Sequence, residues 1–509
     1  MRLCSVIIIS VSALAAASHG LVHPPGGFQR QRPMMEAHAS HKVDSNPASS
    51  NLFAGPLDSW ISAQDQYARQ RILSNIAPFS SDPSAKPGAI CASPSRFQPD
   101  YYYTWTRDSA LVMSEIMTWI EQSGQSDNGT TRWDLLSRMD AYVGFTKHLQ
   151  GLDTKYGLAE AKYHMDGSAF TRSWCNGQND GPALRASVMA RYMWYLVSRH
   201  RDFDHLYAVI KRDLDFVAAA WRDSRGCDIW EETRGLHFYT LMAQRRALLQ
   251  GAELAEFMGD EGRGSKYKQQ AALISETLGG FWSRKGGHVV TTRKWSGGLA
   301  SKHSSLDTQV LLASLHSGMD DGVFTVESSE MAATVLRLLR AFEQMYAVNR
   351  VLSVQVDGTQ LPVGVAVGRY PEDVYNGVGT SRGNPWSLIT SAMAEYHYRL
   401  GIIYARASDD DVVVAMSGEL AELLAWTHKR HSLIGTQMLM AAGGLSRYLM
   451  RIGDLYMARV LLHTDRDHTM YEQWTSSTGY GRGAVHLTWS YAAHTSATRA
   501  REQLARLIQ

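Results

Sequence analysis

From residue 57 to the last residues of the chain, apolar side chains recur at spacings of three and four, the repeat that lays one stripe along an α-helix. The pattern predicts helices over 57–75, 109–122, 131–150, 182–200, 205–222, 236–258, 265–281, 304–317, 328–347, 385–405, 412–427, 434–463 and 487–507. Alternating runs at Gly287-His288-Val289-Val290-Thr291 and Val351-Leu352-Ser353-Val354-Gln355-Val356 predict only a few small strands. So long a run of helices without a strand–helix–strand rhythm argues for an all-α globule and against a parallel-sheet enzyme. Paired helices can close into an inner ring wrapped by an outer one, with every second loop on one rim. The periodicity permits that closure without dictating it.

Ahead of the helices the pattern changes. Arg2 precedes an apolar run from Val6 to Ala17 that ends in small residues, the layout of a signal peptide over 1–20 and too short for a permanent anchor. Residues 21–50, with Pro24-Pro25-Gly26-Gly27, carry few apolar anchors and are expected to form a flexible leader or propeptide. Residues 51–509 then read as one domain. No later segment offers ~18 uninterrupted apolar residues, so a soluble, secreted protein with no membrane partner is expected.

Composition narrows the field. A net charge of +2, from 51 basic and 49 acidic residues, gives no sign of a polyanionic partner, and no nucleic-acid motif appears. Loss of the signal removes Cys4 and leaves Cys91, Cys175 and Cys227. That odd set leaves at least one thiol unpaired and does not resemble a disulfide scaffold. No Cys/His spacing resembles a zinc site, and neither metal nor other cofactor is expected. Asn128-Gly129-Thr130 is an N-glycosylation acceptor.

The candidate chemistry lies in segments between helices. Asp228-Ile229-Trp230-Glu231-Glu232 and Tyr471-Glu472-Gln473-Trp474 each set a carboxylate among aromatic rings. Glycosidic-bond hydrolysis needs such a pair: one acid to protonate the leaving oxygen, and one carboxylate to activate water or attack the sugar. A partly dry aromatic surround would hold a proton on a glutamate near neutral pH, although a Trp-Glu-Glu run also suits a solvated helix start. In Tyr101-Tyr102-Tyr103-Thr104-Trp105-Thr106-Arg107-Asp108, Asp108 reads either as a helix N-cap or, with Arg107, as a grip on sugar hydroxyls. Asp180 with Pro182 reads as a helix start, and Trp174 in the preceding loop as a ligand platform. Gly368-Arg369-Tyr370-Pro371-Glu372-Asp373, near Asn384-Pro385-Trp386, reads equally as a salt-bridge network or a hydroxyl clamp.

Taken in order, these segments resemble those of fungal-type glucoamylases, glycoside hydrolase family 15. The carriers are Tyr101–Ser109, Asp180-Gly181-Pro182-Ala183-Leu184-Arg185-Ala186, Asp228–Glu232, Gly368–Asp373 and Leu487-Thr488-Trp489-Ser490-Tyr491-Ala492-Ala493. The resemblance covers the chain from Leu57-Asp58-Ser59-Trp60 onward. It implies an (α/α)6 six-hairpin toroid that releases β-D-glucose, with inversion, from non-reducing ends of α-1,4-glucans. Other α-glucosides, or inactive glucan binding, are the alternatives. It further implies Glu231 as general acid and Glu472 as general base, with Tyr101 near the oxocarbenium-like transition state. Arg107, Asp108 and Arg369 match glucose ligands, Glu232 a carboxylate for the next sugar, and Trp105, Trp174, Trp230, Trp386 and Trp489 cleft aromatics. Trp489 reads equally as core packing.

The departures are specific. Gly483 stands where the family has a serine supporting the base, a loss expected to raise the pKa of Glu472. Leu158-Ala159-Glu160-Ala161-Lys162-Tyr163 replaces a Gly-Glu-Pro-Lys-Phe pattern, and Cys175 replaces a glycine. Residues 376–383 lengthen a usually short turn, and the family's customary disulfides look absent. A monomer is expected, without a separate starch-binding domain and hence with weak adsorption to starch granules.

Overall fold

The computed structural model describes residues 55–122, 126–127, 130–407, 418–431 and 444–509. The signal peptide, the leader and Asn128 all lie outside these residues. Thirteen α-helices are described: α1 Pro56–Ser74, α2 Thr106–Gln122, α3 Arg132–Gln150, α4 Asp180–Ser198, α5 Asp204–Ala220, α6 Phe238–Phe257, α7 Glu261–Gly279, α8 Gln309–Ser317, α9 Ser329–Met345, α10 Ser387–Arg406, α11 Gly418–His431, α12 Gly444–His463 and α13 Thr488–Ile508. Several starts are written locally. The Thr131 hydroxyl accepts from Asp134 N while the Asp134 carboxylate takes the Thr131 N–H, and Ser328 caps α9 by accepting from Met331 N.

The helices alternate between two layers. α2, α4, α6, α8, α10 and α13 each pack on the next, and α13 returns to α2, so the inner ring closes. α1, α3, α5, α7, α9 and α12 wrap the outside, and α11 lies on α9. The inner helices are buried on nearly all faces: α6 hides Phe238, Tyr239, Leu241, Leu248 and Leu254, and α10 hides Leu388, Ile389, Met393, Tyr396 and Leu400. An outer helix such as α9 instead carries one apolar stripe, Met331, Val335, Leu338 and Phe342. This is the (α/α)6 toroid. The strands are short antiparallel pairs in the loops, among them Thr104–Trp105 with Lys162–Tyr163 and Tyr471–Trp474 with Gly481–Val485.

Loop placement follows from the alternation. The six outer-to-inner connections, 75–105, 151–179, 221–237, 280–308, 346–386 and 464–487, fall at one end of the ring. Every residue singled out for chemistry lies in one of them or in the first turn of the inner helix that follows.

The cysteines leave one thiol unpaired among the described residues, as their odd number requires. Cys175 and Cys227 form a disulfide that ties loop 151–179 to loop 221–237, and Cys91 is buried and free. The pair is 52 residues apart in sequence. Only tertiary proximity reveals it.

Candidate active site

All twelve residues expected to act on substrate line one cavity of about 220 Å³, together with Ala92, Ile229, Tyr375 and Leu487. Tyr101 and Trp105 come from the first long loop, Arg107 and Asp108 from the start of α2, and Trp174 from the second loop. Trp230, Glu231 and Glu232 come from the third loop, Arg369 and Trp386 from the fifth, Glu472 from the sixth, and Trp489 from the start of α13.

Glu231 is placed by an unusual turn. Its φ is 64°, in the left-handed region that non-glycine residues rarely occupy and that is often retained at functional sites. Asp228 builds this turn. Its carbonyl accepts the Glu231 N–H at 3.0 Å, and its Oδ1 accepts those of Glu232 and Thr233 at 2.9 and 3.1 Å. Lys302 Nζ, 2.8 Å from Asp228 Oδ2, helps hold this carboxylate down at about 2 despite complete burial. At the other end of the side chain, Trp105 Nε1 and Gln178 Nε2 each donate to Glu231 Oε1 at 2.7 Å. Both fixed donors reach the same oxygen, and no hydrogen bond from the described residues reaches Oε2.

Glu472 is fully buried, on a strand whose register slips between Tyr471 and Gln473. Such bulges re-aim a side chain beside a site. Tyr101 OH donates to its Oε1 at 2.9 Å, while Tyr375 OH, at 3.3 Å, and Ala484 N, at 3.4 Å, donate to Oε2. Burial outweighs these bonds and pushes the carboxyl up to about 7.

Gly483 turns out to be needed as glycine. Its φ is 76°, and a Cβ there would stand 2.1 Å from Glu472 Oε2. The Cβ of any residue at 377 would likewise meet the Gly483 backbone at 2.9 Å, so loop 376–383 packs directly on this strand. The Tyr375 hydroxyl, just before that loop, bonds the carboxylate instead of a serine.

The remaining residues form two charged clusters. Arg107 Nη1 donates to Gln178 Oε1 at 2.7 Å and to Asp180 Oδ2 at 3.2 Å, and its Nε lies 3.3 Å from Asp108 Oδ1. α2 begins at Thr106, so Asp108 stands within the first turn rather than capping it, and its Oδ1 accepts no hydrogen bond. Burial raises Asp108 to about 6 against the pull of Arg107. On the far wall, Arg369 grips Asp373 through Nε at 2.8 Å and through Nη2 at 2.6 Å, and reaches Glu232 Oε1 at 2.8 Å. Tyr370 OH donates to the other Glu232 oxygen at 2.6 Å, and Lys302 lies 3.6 Å away. The Arg369 segment is thus a salt-bridge network, and that network forms a cavity wall.

The aromatics divide by depth. Trp230, anchored by Nε1 to Asp307 Oδ1 at 2.8 Å, lies 5.6 Å from Trp386 and 6.4 Å from Trp489, centroid to centroid. Trp489 serves both readings, packing in the core against His316 and lining the cavity. Trp174 is 39% exposed, with Lys162 Nζ 3.4 Å from its ring centroid. Sequence reasoning missed Gln178, Lys302, Asp307 and Tyr375 as parts of this site. Tyr375 lies two residues past a quoted motif, but nothing local marks Gln178 or Lys302.

Comparison with known proteins agrees with this architecture. The family described as glycosyl hydrolases family 15 matches residues 66–499, and the chain belongs to that family. A glucoamylase of Blastobotrys adeninivorans is 34% identical over 479 residues, covering 90% of this chain and 74% of that protein. A glucoamylase of Rhizopus oryzae is 33% identical over 467 residues, covering 90% and 73%. The solved glucoamylase of Saccharomycopsis fibuligera superposes with a TM-score of 0.74 at 28% identity, over 91% of this chain and 99% of that one.

Proposed function

We propose that the chain is a glucan 1,4-α-glucosidase working by inversion, with Glu231 as general acid and Glu472 as general base. Membership of family 15 and the glucoamylase relatives support an exo-acting hydrolase that releases glucose from α-glucans. The observation that carries the assignment of roles is the contrast between the two carboxylates in one cavity. Glu231 offers one oxygen without a donor among the described residues, suited to carry a proton to the glycosidic oxygen. Both Glu472 oxygens accept hydrogen bonds, which orient an ionised base toward water.

In this mechanism the terminal glucose sits between Arg107–Asp108 and the Trp230–Trp386 pair. Asp108, part-exposed on the cavity wall, accepts a sugar hydroxyl, and Glu232, held by Arg369 and Tyr370, bonds the following unit. Tyr101, whose hydroxyl is tied to Glu472, stands beside the developing oxocarbenium charge. We further propose export by the N-terminal apolar segment, on the strength of Arg2 and the run Val6–Ala17, with residues 51–509 as the catalytic domain.

The test is incubation with soluble starch and maltooligosaccharides, following the anomer of the first-released sugar by NMR. β-Glucose from chain ends is expected. α-Glucose, internal cleavage, or turnover confined to isomaltose or trehalose would overturn the reading.

A further inference from the structure

The ring holds a second cavity, of about 200 Å³, which shares Trp489 with the catalytic one and takes wall residues from all six inner helices. Four arginines face it: Arg191 on α4, Arg246 on α6, Arg399 on α10 and Arg499 on α13. Three have carboxylate partners. Arg191 Nη2 lies 2.7 Å from Glu121, Arg399 lies 2.5 Å from Glu395, and Arg499 forks onto Glu115.

Arg246 has no carboxylate partner among the described residues. Its Nη1 donates to the carbonyl of His316, and Arg191 and Arg399 stand close enough to repel it. Burial and these like charges bring its guanidinium down to about 10. His316 adds no compensation, because burial and the neighbouring arginines hold it neutral, down at about 3. Counting Glu121, which pairs with Arg191 from outside the lining, four guanidiniums meet three carboxylates, and one positive charge is left over a polar cavity. At roughly 30 Å³ per water, the space admits a small solute with its hydration.

We propose that this chamber is a binding site for a small tetrahedral oxyanion, of phosphate or sulfate chemistry, held by the free donors of Arg246 and flanked by Arg191 and Arg399. Guanidinium forks match the oxygen spacing of such anions, and the charge balance of the walls calls for one. None of these arginines lines the catalytic cavity, with which the chamber shares only Trp489.

Calorimetric titration of the full protein with sodium sulfate and sodium phosphate, at fixed ionic strength in chloride buffer, tests the proposal in solution. Selenate-soaked crystals with anomalous scattering locate the anion. Saturable one-to-one binding is expected, with a selenate peak within hydrogen-bond distance of Arg246. Arg246→Gln should weaken binding about tenfold or more, while kcat on maltooligosaccharides is unchanged. No saturable heat, no selenate peak in the chamber, or wild-type affinity in Arg246→Gln would each overturn the proposal. The selenate experiment on the wild type decides even if the variant fails to fold.

Discussion

At the scale of single residues, the chemistry rests on two glutamates whose surroundings differ by a few hydrogen bonds. Glu231→Gln and Glu472→Gln are each expected to lower kcat by at least roughly 10²–10⁴-fold with an unchanged circular dichroism spectrum, the range for lost acid–base catalysis. Wild-type rates in either would remove the assignment. The pH profile carries a sign. Glu472 must be ionised to act, and burial raises it from 4.5 to about 7, so the acidic limb of kcat/KM lies above the usual glutamate range. Tyr375→Phe deletes a donor that favours the ionised form, so that limb moves to still higher pH. A limb that stays put in this variant would show the bond to be idle. Gly483→Ser, which restores the family's residue, is expected to harm: its Cβ collides with Glu472 Oε2, and displacement of a catalytic group by ~1 Å costs about 10²-fold. A gain in kcat would mean that the strand relaxes at little cost.

At the scale of elements, five of the six loops supply walls to one cavity, the fourth supports them from behind, and cross-links stand in for regular structure. The Cys175–Cys227 bridge joins the loop bearing Trp174 and Gln178 to the turn bearing Glu231. Closing a 52-residue loop contributes about 4 kcal/mol by chain entropy. Cys175→Ser with Cys227→Ser should lower Tm by several degrees and raise KM, because Gln178 loses its fixed place beside Glu231. A Tm within a degree of wild type would show that packing alone holds the two loops. Lys302 plays the same part without a covalent bond, joining Asp228, Asp307 and Glu232 from the fourth loop.

At the scale of the whole molecule, the ring must close between elements distant in sequence. Arg501 on α13 binds Asp454 on α12 and Asp58 on α1, both at 2.7 Å, joining the first described helix to the last two. Removing one partner of a largely buried network leaves charges unpaired and costs about 3 kcal/mol. Arg501→Ala is thus expected to lower Tm by several degrees while KM for maltooligosaccharides holds. A fall in kcat/KM at unchanged Tm would contradict a closing role, since the catalytic cavity lies elsewhere in the ring.

The sequence by itself determined most of the described helices and the loops that carry the chemistry, and its resemblance to family 15 supplied the identity of the twelve residues around the cavity. Helical periodicity is a local property, and carboxylates among aromatic rings mark a sugar site within a few residues. Only the tertiary structure decided closure of the inner ring, because periodicity allows an open stack as readily as a circle. It also decided the partners that come from other loops: Gln178 against Glu231, Lys302 among three acids, and Cys175 with Cys227. Apart from Lys302 with Asp307, five residues on, each of these contacts spans tens of residues, so no local pattern encodes it. Gly483 shows the difference most sharply. Read along the chain it is a missing hydroxyl, whereas in the fold it is the space that lets loop 376–383 pack on the strand while Tyr375 bonds the base.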